Sequence, residues 1–378
     1  MSERRLKILS IAHPAVEAAA GRLRYHPFLG RPDLDVHLLA PRRWHQFGRT
    51  IEADPPGDPG VTMHILPIWF GRGGPMSWYL HIYPGMRRLI REIEPDVIHL
   101  WEEPWSFVAL QAKVLKGDAA LMLEVDQNIL KRLPPPFESI RRHVLRNTDH
   151  ILSRSPDATA VVRACGYAGT VGEVGYGVDF ATFGPRQAAQ RTPGLRLGYV
   201  GRLVVEKGLD DALDALARAP ADVTLAIMGE GPHEASLRRK IAELRLDGRV
   251  SLRGWSSPAG VADFIRSLDA LILLTRTTAV VKEQFGRVII EAQSCGVPVI
   301  GSTCGAIPAV TADGGWIVPE QDPPALAALI ERLRDDPALL DAAADAGRAN
   351  VARRFTYDAV AGQLADGWIS AFRNRRPA

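Results

Sequence analysis

The stretch EQFGRVIIEAQSCGVPVIGS, from Glu283 to Ser302, decides the class of fold because it joins a short amphipathic helix to an apolar strand. Gly286 stands where the helix should begin, and Gly296 can end it. The apolar stripe of this helix consists, at helical spacing, of Val288, Ile289, Ala292 and Cys295. The segment Val297-Pro298-Val299 then predicts the start of a strand. A helix that leads into an apolar strand is the repeating unit of a parallel α/β sheet.

The same alternation runs along the chain in two successions. The apolar runs of strand length are KILSIA, DVHLLA, DVIHLW, ALMLEV and HILSRS in the first half, and RLGYVG, VTLAIMG, VSLRGW, ALILL and VPVIGS in the second. We therefore predict two doubly wound parallel sheets with helices on both faces. The polar stretch from Gly177 to Gly194 is interpreted as the linker. Two such domains would form a cleft at the carboxyl ends of their strands, where these sheets bind ligands.

The composition limits the class of protein. A chain of 378 residues favours two domains, and a net charge of +3 argues against a dedicated nucleic-acid-binding protein. Cys165, Cys295 and Cys304 have no paired spacing, so neither a disulfide framework nor a zinc site is expected. The start MSERRLKILSIAHP predicts a strand rather than a signal peptide, and no apolar run approaches a membrane span. We expect a cytoplasmic protein, with any membrane contact peripheral and at the inner face.

Two carboxylates surround the glycine that opens the predicted helix. Glu283 lies in the loop before it, and Glu291 lies about one turn inside, over Arg287. In one interpretation, one of these two carboxylates is a helix-entry charge and the other is a solvated side chain. The other is a ligand site: carboxylates can accept two hydroxyl groups of a sugar or a ribose, while the N–H groups of Phe285, Gly286 and Arg287 bind phosphate.

A second candidate site is GRLVVEKG, Gly201 to Gly208, between a predicted strand and a predicted helix. Arg202 and Lys207 across this turn would fit a diphosphate, helped by the helix N-terminus. The alternative is a solvated turn in which Lys207 pairs with Glu206. The spacing is neither that of a P-loop nor that of a dinucleotide-binding fingerprint, which disfavours a dehydrogenase.

Taken together, these motifs resemble those of the retaining glycosyltransferases of family four, which have the GT-B fold. GRLVVEKG is similar to the diphosphate loop of that family, and Glu283 and Glu291 have the separation of its E-x7-E motif. The resemblance extends to VGYGVDFATFGP, GEGP and VSLRGW, and it covers roughly Pro95 to Phe355.

The resemblance implies three segments. Residues 1–180 would form an N-terminal, acceptor-binding Rossmann-like domain, and residues 181–355 a C-terminal, nucleotide-sugar-binding one. Residues 356–378 would form a helix that packs back on the N-terminal domain. The stripe of this helix is predicted to be Val360, Leu364, Trp368 and Phe372.

The resemblance also implies an activity: transfer of a hexose from a UDP- or GDP-sugar to a hydroxyl group, with retention and without cofactor or metal. Arg202 and Lys207 would neutralise the diphosphate, and their charge would stabilise the leaving group. Glu291 would bind the ribose and Glu283 the transferred sugar. The backbone at Arg253 would contact the base. The only D-x-D, Asp33-Leu34-Asp35, is interpreted as turn residues at the start of a strand.

The chain departs from the family pattern in two places. GAIPAV, Gly305 to Val310, stands where the family often has G-G-x-P-E-V, which leaves the donor identity open. The glycine-rich loop expected after the first strand has only Gly21, with Arg22 and Arg24 nearby, as a candidate contact to the donor phosphates.

Candidate acceptor residues follow two predicted strands of the first half. Asp126, after ALMLEV, stands near the place where family members often have a histidine, and we expect it to orient the acceptor hydroxyl. His99 is expected to be structural. Glu102 and Glu103 could bind acceptor hydroxyls, but we favour a role in capping a helix at Pro104.

The aromatic and cationic stretch from Pro67 to Arg88 has three interpretations: an acceptor lid, a surface for an anionic bilayer, or a partly buried loop. Two rival functions also remain, a nucleotide-sugar epimerase of the same fold and a non-catalytic nucleotide-sugar-binding protein. The sequence leaves open the sugar, the base, the acceptor and the oligomeric state.

Overall fold

The computed structural model describes residues 4–46, 49–71, 77–185 and 194–375. The chain divides into two compact units, the first comprising Met1–Gly177 with Tyr357–Ala378 and the second Val178–Thr356. The predicted linker starts at this boundary, where Asp179 caps a short helix, and its residues 186–193 lie outside the described residues. Residues 72–76 of the aromatic stretch also lie outside them.

The described residues form the following elements in chain order. The strands are β1 (Leu6–Ala12), β2 (Leu34–Pro41), β3 (Arg43–Gln46), β4 (Arg49–Glu52), β5 (Thr62–Leu66), β6 (Val97–Trp101), β7 (Ala120–Val125), β8 (His150–Ser153), β9 (Thr170–Glu173), β10 (Leu195–Val200), β11 (Val223–Met228), β12 (Val250–Arg253), β13 (Ala270–Leu273), β14 (Val299–Ser302) and β15 (Gly315–Val318). The helices are α1 (Ser77–Leu80), α2 (Met86–Ile93), α3 (Phe107–Leu115), α4 (Phe137–Arg146), α5 (Pro156–Ala164), α6 (Phe180–Phe183), α7 (Leu209–Arg218), α8 (Glu234–Glu243), α9 (Pro258–Arg266), α10 (Arg287–Ser294), α11 (Ile307–Thr311), α12 (Pro323–Asp335), α13 (Pro337–Arg354) and α14 (Tyr357–Arg373).

The first unit is built on a seven-stranded parallel sheet with the order β5-β2-β1-β6-β7-β8-β9, and β3 and β4 form a separate antiparallel pair. Successive side chains of a strand point to opposite faces, so each face of β1 joins a different core. Leu9 and Ile11 pack with residues of α2, α3 and α4, whereas Ile8 and Ala12 pack with α14. Burial on both faces is why these strands read as continuous apolar runs.

The C-terminal helix α14 belongs to the first unit. Val360, Leu364 and Trp368 of α14 are fully buried against the sheet, and the Trp368 ring lies 4.8 Å from the Phe28 ring. The prediction for Phe372 was wrong because its side chain is 37% exposed, and Ala371 is the buried residue in the last turn.

The second unit contains a six-stranded parallel sheet with the order β12-β11-β10-β13-β14-β15. Both units are therefore doubly wound, Rossmann-like α/β domains, and each of the ten predicted runs overlaps an observed strand. The order reverses between β10 and β13 in this sheet and between β1 and β6 in the first. Chain segments that leave such neighbouring strands move apart, which opens a crevice at their carboxyl ends.

Candidate functional site

The reversal point of the second sheet brings two predicted motifs together. The strand β10 leads into the loop from Gly201 to Gly208, and β13 leads into the loop that contains Glu283. Gly208 allows the two segments to approach closely. Its φ of 68° is left-handed, and a Cβ built there would lie 2.2 Å from the carbonyl oxygen of Leu274. No other residue type fits this position without displacing one of the loops.

Lys207 and Glu283 form a direct ion pair at this point. The Nζ of Lys207 donates to Oε2 of Glu283 over 2.6 Å, and the side chains are 17% and 14% exposed, respectively. The structure thus brings together two charged residues that lie 76 positions apart. The alternative in which Lys207 pairs with Glu206 is wrong, since the ion pair of Lys207 is with Glu283.

Arg202 lies in the same loop with an exposed side chain. The Tyr199 hydroxyl donates to the Arg202 carbonyl oxygen over 2.8 Å, and the N–H of Leu203 donates to the carbonyl of Glu230 over 2.9 Å. These bonds fix the backbone of the loop and leave the guanidinium outside the core. The loop therefore presents two cations, Arg202 and Lys207, beside one end of the sheet.

Arg253 ends β12, which is separated from β13 by two strands of the sheet, and its side chain is exposed. The carbonyl oxygen of Arg253 accepts the N–H of Gly229 over 2.9 Å, and Gly229 begins the GEGP turn. This hydrogen bond ties the loop after β12 to the loop after β11.

The helix α10 begins as the sequence predicts. Gly286, at φ 79°, is its N-cap residue and has no side chain to bond the first N–H groups. The Phe285 side chain is buried and packs edge to face on Phe355, with 5.5 Å between the ring centroids, whereas Arg287 is exposed. The packing of Phe285 fixes the direction in which the chain enters the helix.

Glu291 lies one turn into α10 and is half-buried. Burial raises the pKa of its carboxyl group above the usual value, and the charge of Arg287 opposes that rise. Desolvation of this kind disfavours the ionised form, and hydrogen bonds donated to the carboxylate by a ligand would favour it again.

The GAIPAV segment supports Glu283 through its backbone. The N–H of Ala306 donates to the carbonyl of Glu283 over 3.0 Å, and the N–H of Glu283 donates to Sγ of Cys304 over 3.4 Å. Gly305 has a φ of 58°, and a Cβ there would lie 2.2 Å from the Glu283 carbonyl oxygen. The segment therefore acts as a backbone support for the loop that carries Glu283.

We expect Gly305→Ala to lower the free energy of unfolding by about 1–3 kcal/mol, because alanine is strained at this φ and its Cβ would displace the Glu283 loop. Gly362→Ala is the matched control. Apart from the backbone of α14 itself, no atom of the described residues lies within 4 Å of a Cβ built at Gly362, so alanine there should stabilise by about 0.5–1 kcal/mol. Urea unfolding measures both changes. A Gly305→Ala protein as stable as the wild type would contradict the proposed support.

The carboxyl ends of β6 and β7 in the first unit carry a group of acids. Asp126 forms a short ion pair with Arg154, and its N–H donates to Oε1 of Glu103 over 2.9 Å. Burial, reinforced by neighbouring carboxylates, raises the pKa of both acids to about 7. Arg24 opposes the rise at Asp126, and Arg154 opposes it at Glu103. Each carboxyl group therefore has a pKa near neutral pH, in the range that suits a general acid or base.

Glu102 and Glu103 do not cap α3, so that prediction was wrong. The N-cap is Ser106, whose hydroxyl accepts the N–H of Ala109. Glu102 instead accepts hydrogen bonds from the backbone N–H and the ring Nδ1 of His13, at 3.2 and 2.7 Å, at the reversal point of the first sheet.

His99 has a structural role, as predicted. It is fully buried, its Nδ1 lies 2.9 Å from the Ser10 hydroxyl, and its Nε2 lies 3.3 Å from Glu124. Burial, together with the charges of Arg24 and Arg154, holds its pKa well below the usual value. His99 therefore stays neutral inside the core.

Gly21 lies in a one-turn π-helix, Ala18–Arg22, and packs tightly on the preceding turn. A Cβ there would lie 2.5 Å from the Pro14 carbonyl carbon. The nearby arginines are committed to the fold, since Arg22 donates to carbonyl oxygens and Asp58, and Arg24 is bidentate to Glu124. The contact of Gly21 with donor phosphates stays a prediction.

Within the described ranges, no cluster of three or more histidine, cysteine or acidic residues is arranged to hold a metal ion. Asp33 pairs with Arg31 in the turn before β2, as expected for turn residues. No helix in the part of the chain that the structure describes is long and apolar enough to cross a bilayer.

Sequence reasoning missed Thr275. Its hydroxyl lies 2.8 Å from Oε2 of Glu283 and 3.3 Å from Nζ of Lys207. Its position at the end of the ALILL run was the available indication, because the carboxyl end of a strand at a reversal point faces the crevice.

Two family models match the chain. One, described as glycosyl transferases group 1, matches residues 185–350, and the other, described as glycosyltransferase family 4, matches residues 27–181. The chain belongs to family four of the glycosyltransferases and has the GT-B class of fold.

Individual relatives agree with this class. A GDP-mannose-dependent monoacylated alpha-(1-6)-phosphatidylinositol monomannoside mannosyltransferase of Corynebacterium glutamicum is 33% identical over 171 residues, which are 43% of this chain and 44% of the relative. The chain spans about half the length of several curated relatives that it matches.

Solved structures agree over almost the whole chain. Sucrose-phosphate synthase from Thermosynechococcus elongatus has a TM-score of 0.70 at 20% identity, covering 98% of this chain and 100% of that one. Anabaena HepE in complex with UDP has a TM-score of 0.69 at 18% identity, covering 97% and 100%. At these identities the likeness shows the fold.

Proposed function

We propose that this protein is a retaining, metal-independent glycosyltransferase that moves a hexose from a nucleotide-diphosphate sugar to a hydroxyl group of a glycan, a lipid or a small molecule. The observation that carries the proposal is the Lys207–Glu283 pair at the reversal point of the second sheet, beside Arg202 and the N-terminus of α10. Donor classes named for the relatives, GDP-mannose and UDP, support a nucleoside diphosphate donor.

The donor is held by the second unit in this proposal. Arg202, Lys207 and the first N–H groups of α10 bind the diphosphate and stabilise its negative charge as the glycosidic bond breaks. Glu283 accepts hydrogen bonds from hydroxyl groups of the transferred sugar, and Glu291 accepts hydrogen bonds from those of the ribose. The backbone at Arg253 contacts the base, and Gly21 lies near the phosphates.

The acceptor is bound by the first unit. Asp126 orients the acceptor hydroxyl, and the neighbouring Glu103 holds the backbone of Asp126 in place. A cavity of about 1000 Å³ in the same unit is lined by Arg42, Arg43 and Trp44 together with the 60–63% exposed rings of Trp69 and Phe70. Cations beside exposed aromatic rings suit an anionic or lipid-linked acceptor at the inner membrane face.

A thermal-shift screen of UDP- and GDP-hexoses, followed by mass spectrometry of products with an acceptor panel, tests the proposal. The panel includes free sugars, glycans and polyprenyl phosphates. Transfer of a hexose with retained anomeric configuration, unaffected by EDTA, is expected. Epimerised donor without transfer would favour the epimerase, and donor binding without turnover would favour a binding protein.

Glu291→Ala should weaken donor binding about ten- to a hundredfold by removing charge-assisted hydrogen bonds to the ribose. The comparison of UDP with 2′-deoxy-UDP isolates this contact. In the wild type the missing hydroxyl should cost affinity, whereas in Glu291→Ala the two nucleotides should bind equally. Isothermal titration calorimetry measures all four affinities. An equal penalty for the deoxy nucleotide in both proteins would place Glu291 away from the ribose.

Asp126→Asn should lower kcat about ten- to a hundredfold while donor affinity stays close to wild type, because Asp126 is assigned to the acceptor. Asp118→Asn, an exposed residue just before β7, is the control on the opposite end of the same strand and should leave both unchanged. Steady-state kinetics and calorimetry separate the two effects. A parallel loss of donor affinity and turnover would count against the acceptor role.

A further inference from the structure

Thr275 lies two residues beyond β13 and has no exposed surface. Its hydroxyl contacts both members of the central ion pair, at 2.8 Å from Oε2 of Glu283 and 3.3 Å from Nζ of Lys207. A threonine hydroxyl has one hydrogen to donate and lone pairs to accept. Because an ammonium group can only donate, the hydroxyl accepts from Lys207 and donates to the Glu283 carboxylate. The three groups therefore form a closed triangle of hydrogen bonds.

The backbone of Thr275 is held from two sides. The Ser302 hydroxyl, at the end of the neighbouring strand β14, donates to the Thr275 carbonyl oxygen over 2.6 Å. The preceding carbonyl, that of Leu274, lies against Gly208, where α7 begins. A hydroxyl that is fixed by its own backbone can fix the groups that it bonds. Lys207 has a long, flexible side chain, and one ion pair alone would leave its ammonium group with several orientations.

We propose that Thr275 is a positioning residue for the donor site: its hydroxyl sets the orientation of the Glu283 carboxylate and the Lys207 ammonium group before substrate binds. This inference rests on the proposed function in assigning those two groups to the sugar and the diphosphate. Lys207 and Thr275, which both donate to Oε2 of Glu283, belong to the second unit, so they orient the carboxylate without a ligand. Such preorganisation contributes to transition-state stabilisation more than to ground-state binding.

The test compares Thr275→Val, which keeps the shape and removes the hydroxyl, with Thr275→Ser, which keeps the hydroxyl and removes a methyl group. Thr275→Val should lower kcat about ten- to a hundredfold with a smaller change in KM, and Thr275→Ser should recover most of the turnover. Thr311→Val is the matched control. Thr311 is equally buried in the same unit, and its hydroxyl has no hydrogen-bond partner among the described residues.

A second measurement needs no substrate. The rate at which an N-hydroxysuccinimide ester acylates Lys207 reports how firmly the ammonium group is held, and peptide mass spectrometry measures it. Lys207 should react faster in Thr275→Val than in the wild type or Thr275→Ser. Lys240, whose Nζ lies 2.7 Å from Asp214, should react equally in all of them.

The outcomes separate the two proposals. A wild type that binds no nucleotide sugar would contradict the proposed function, while the acylation rates would still test the role of Thr275. Wild-type kcat together with wild-type acylation of Lys207 in Thr275→Val would overturn the inference. A loss of turnover that Thr275→Ser shares fully would also overturn it, because the effect would then follow packing and not the hydroxyl.

Discussion

Replacing Lys207 with alanine is expected to weaken the binding of UDP or GDP about ten- to a hundredfold and to leave the fold intact. Two effects act in the same direction. The variant loses a charge-assisted contact to the diphosphate, worth about 1.5–3 kcal/mol. It also leaves the mostly buried Glu283 carboxylate without its 2.6 Å cation, so that this negative charge opposes the incoming anion.

Isothermal titration calorimetry with each nucleoside diphosphate measures this loss. Lys240→Ala is the matched control because the Nζ of Lys240 lies 2.7 Å from Asp214 in the same unit, an ion pair of nearly equal length. The control should bind the nucleotide as the wild type does. Equal affinities for the wild type and Lys207→Ala would show that Lys207 does not bind the diphosphate.

Replacing Glu283 with glutamine is not expected to weaken the binding of UDP or GDP, in contrast to Lys207→Ala. The substitution keeps the shape of the side chain and removes its charge, which releases Lys207 for the diphosphate. UDP or GDP without a sugar should therefore bind as tightly as to the wild type or more tightly. Transfer of the sugar should slow about ten- to a hundredfold, since the carboxylate no longer accepts the sugar hydroxyls with its full charge.

Calorimetry with the nucleoside diphosphate and steady-state kinetics with the nucleotide sugar measure the two parts. Glu234→Gln, which removes a surface ion pair with Arg238 on α8, is the control and should change neither. A Glu283→Gln protein that loses affinity for UDP as strongly as Lys207→Ala would contradict the division of roles. The pair would then act only to hold the loops together.

The two parallel sheets could be predicted from the sequence because strands that are buried on both faces need continuous apolar side chains. The elements it did not predict are short or polar. The hairpin of RWHQ and RTIE has too few apolar residues to form such a run. The strands β5 (TMHIL), β9 (TVGE) and β15 (GWIV) are short and lie at sheet edges, where they are only partly buried. Their pairing depends on neighbouring strands, which no local pattern records.

The candidate site was predicted in part. The motifs named Lys207 and Glu283, and the structure places their charged groups in contact. The remaining contacts come from residues distant in sequence, since Thr275 lies 68 positions from Lys207 and Cys304 lies 21 from Glu283. Glu103 was assigned to a helix cap because acids commonly stand before helices. Its bond to Asp126 depends on the register of β6 and β7, which the sequence does not state.

The most direct test of the account is a crystal structure of the protein soaked with UDP or GDP. We predict that the diphosphate lies within hydrogen-bonding distance of Nζ of Lys207, beside Arg202 and the first N–H groups of α10, with Glu291 at the ribose. Density for the nucleotide at another place, with the Lys207–Glu283 ion pair unchanged and not in contact with the nucleotide, would contradict this prediction.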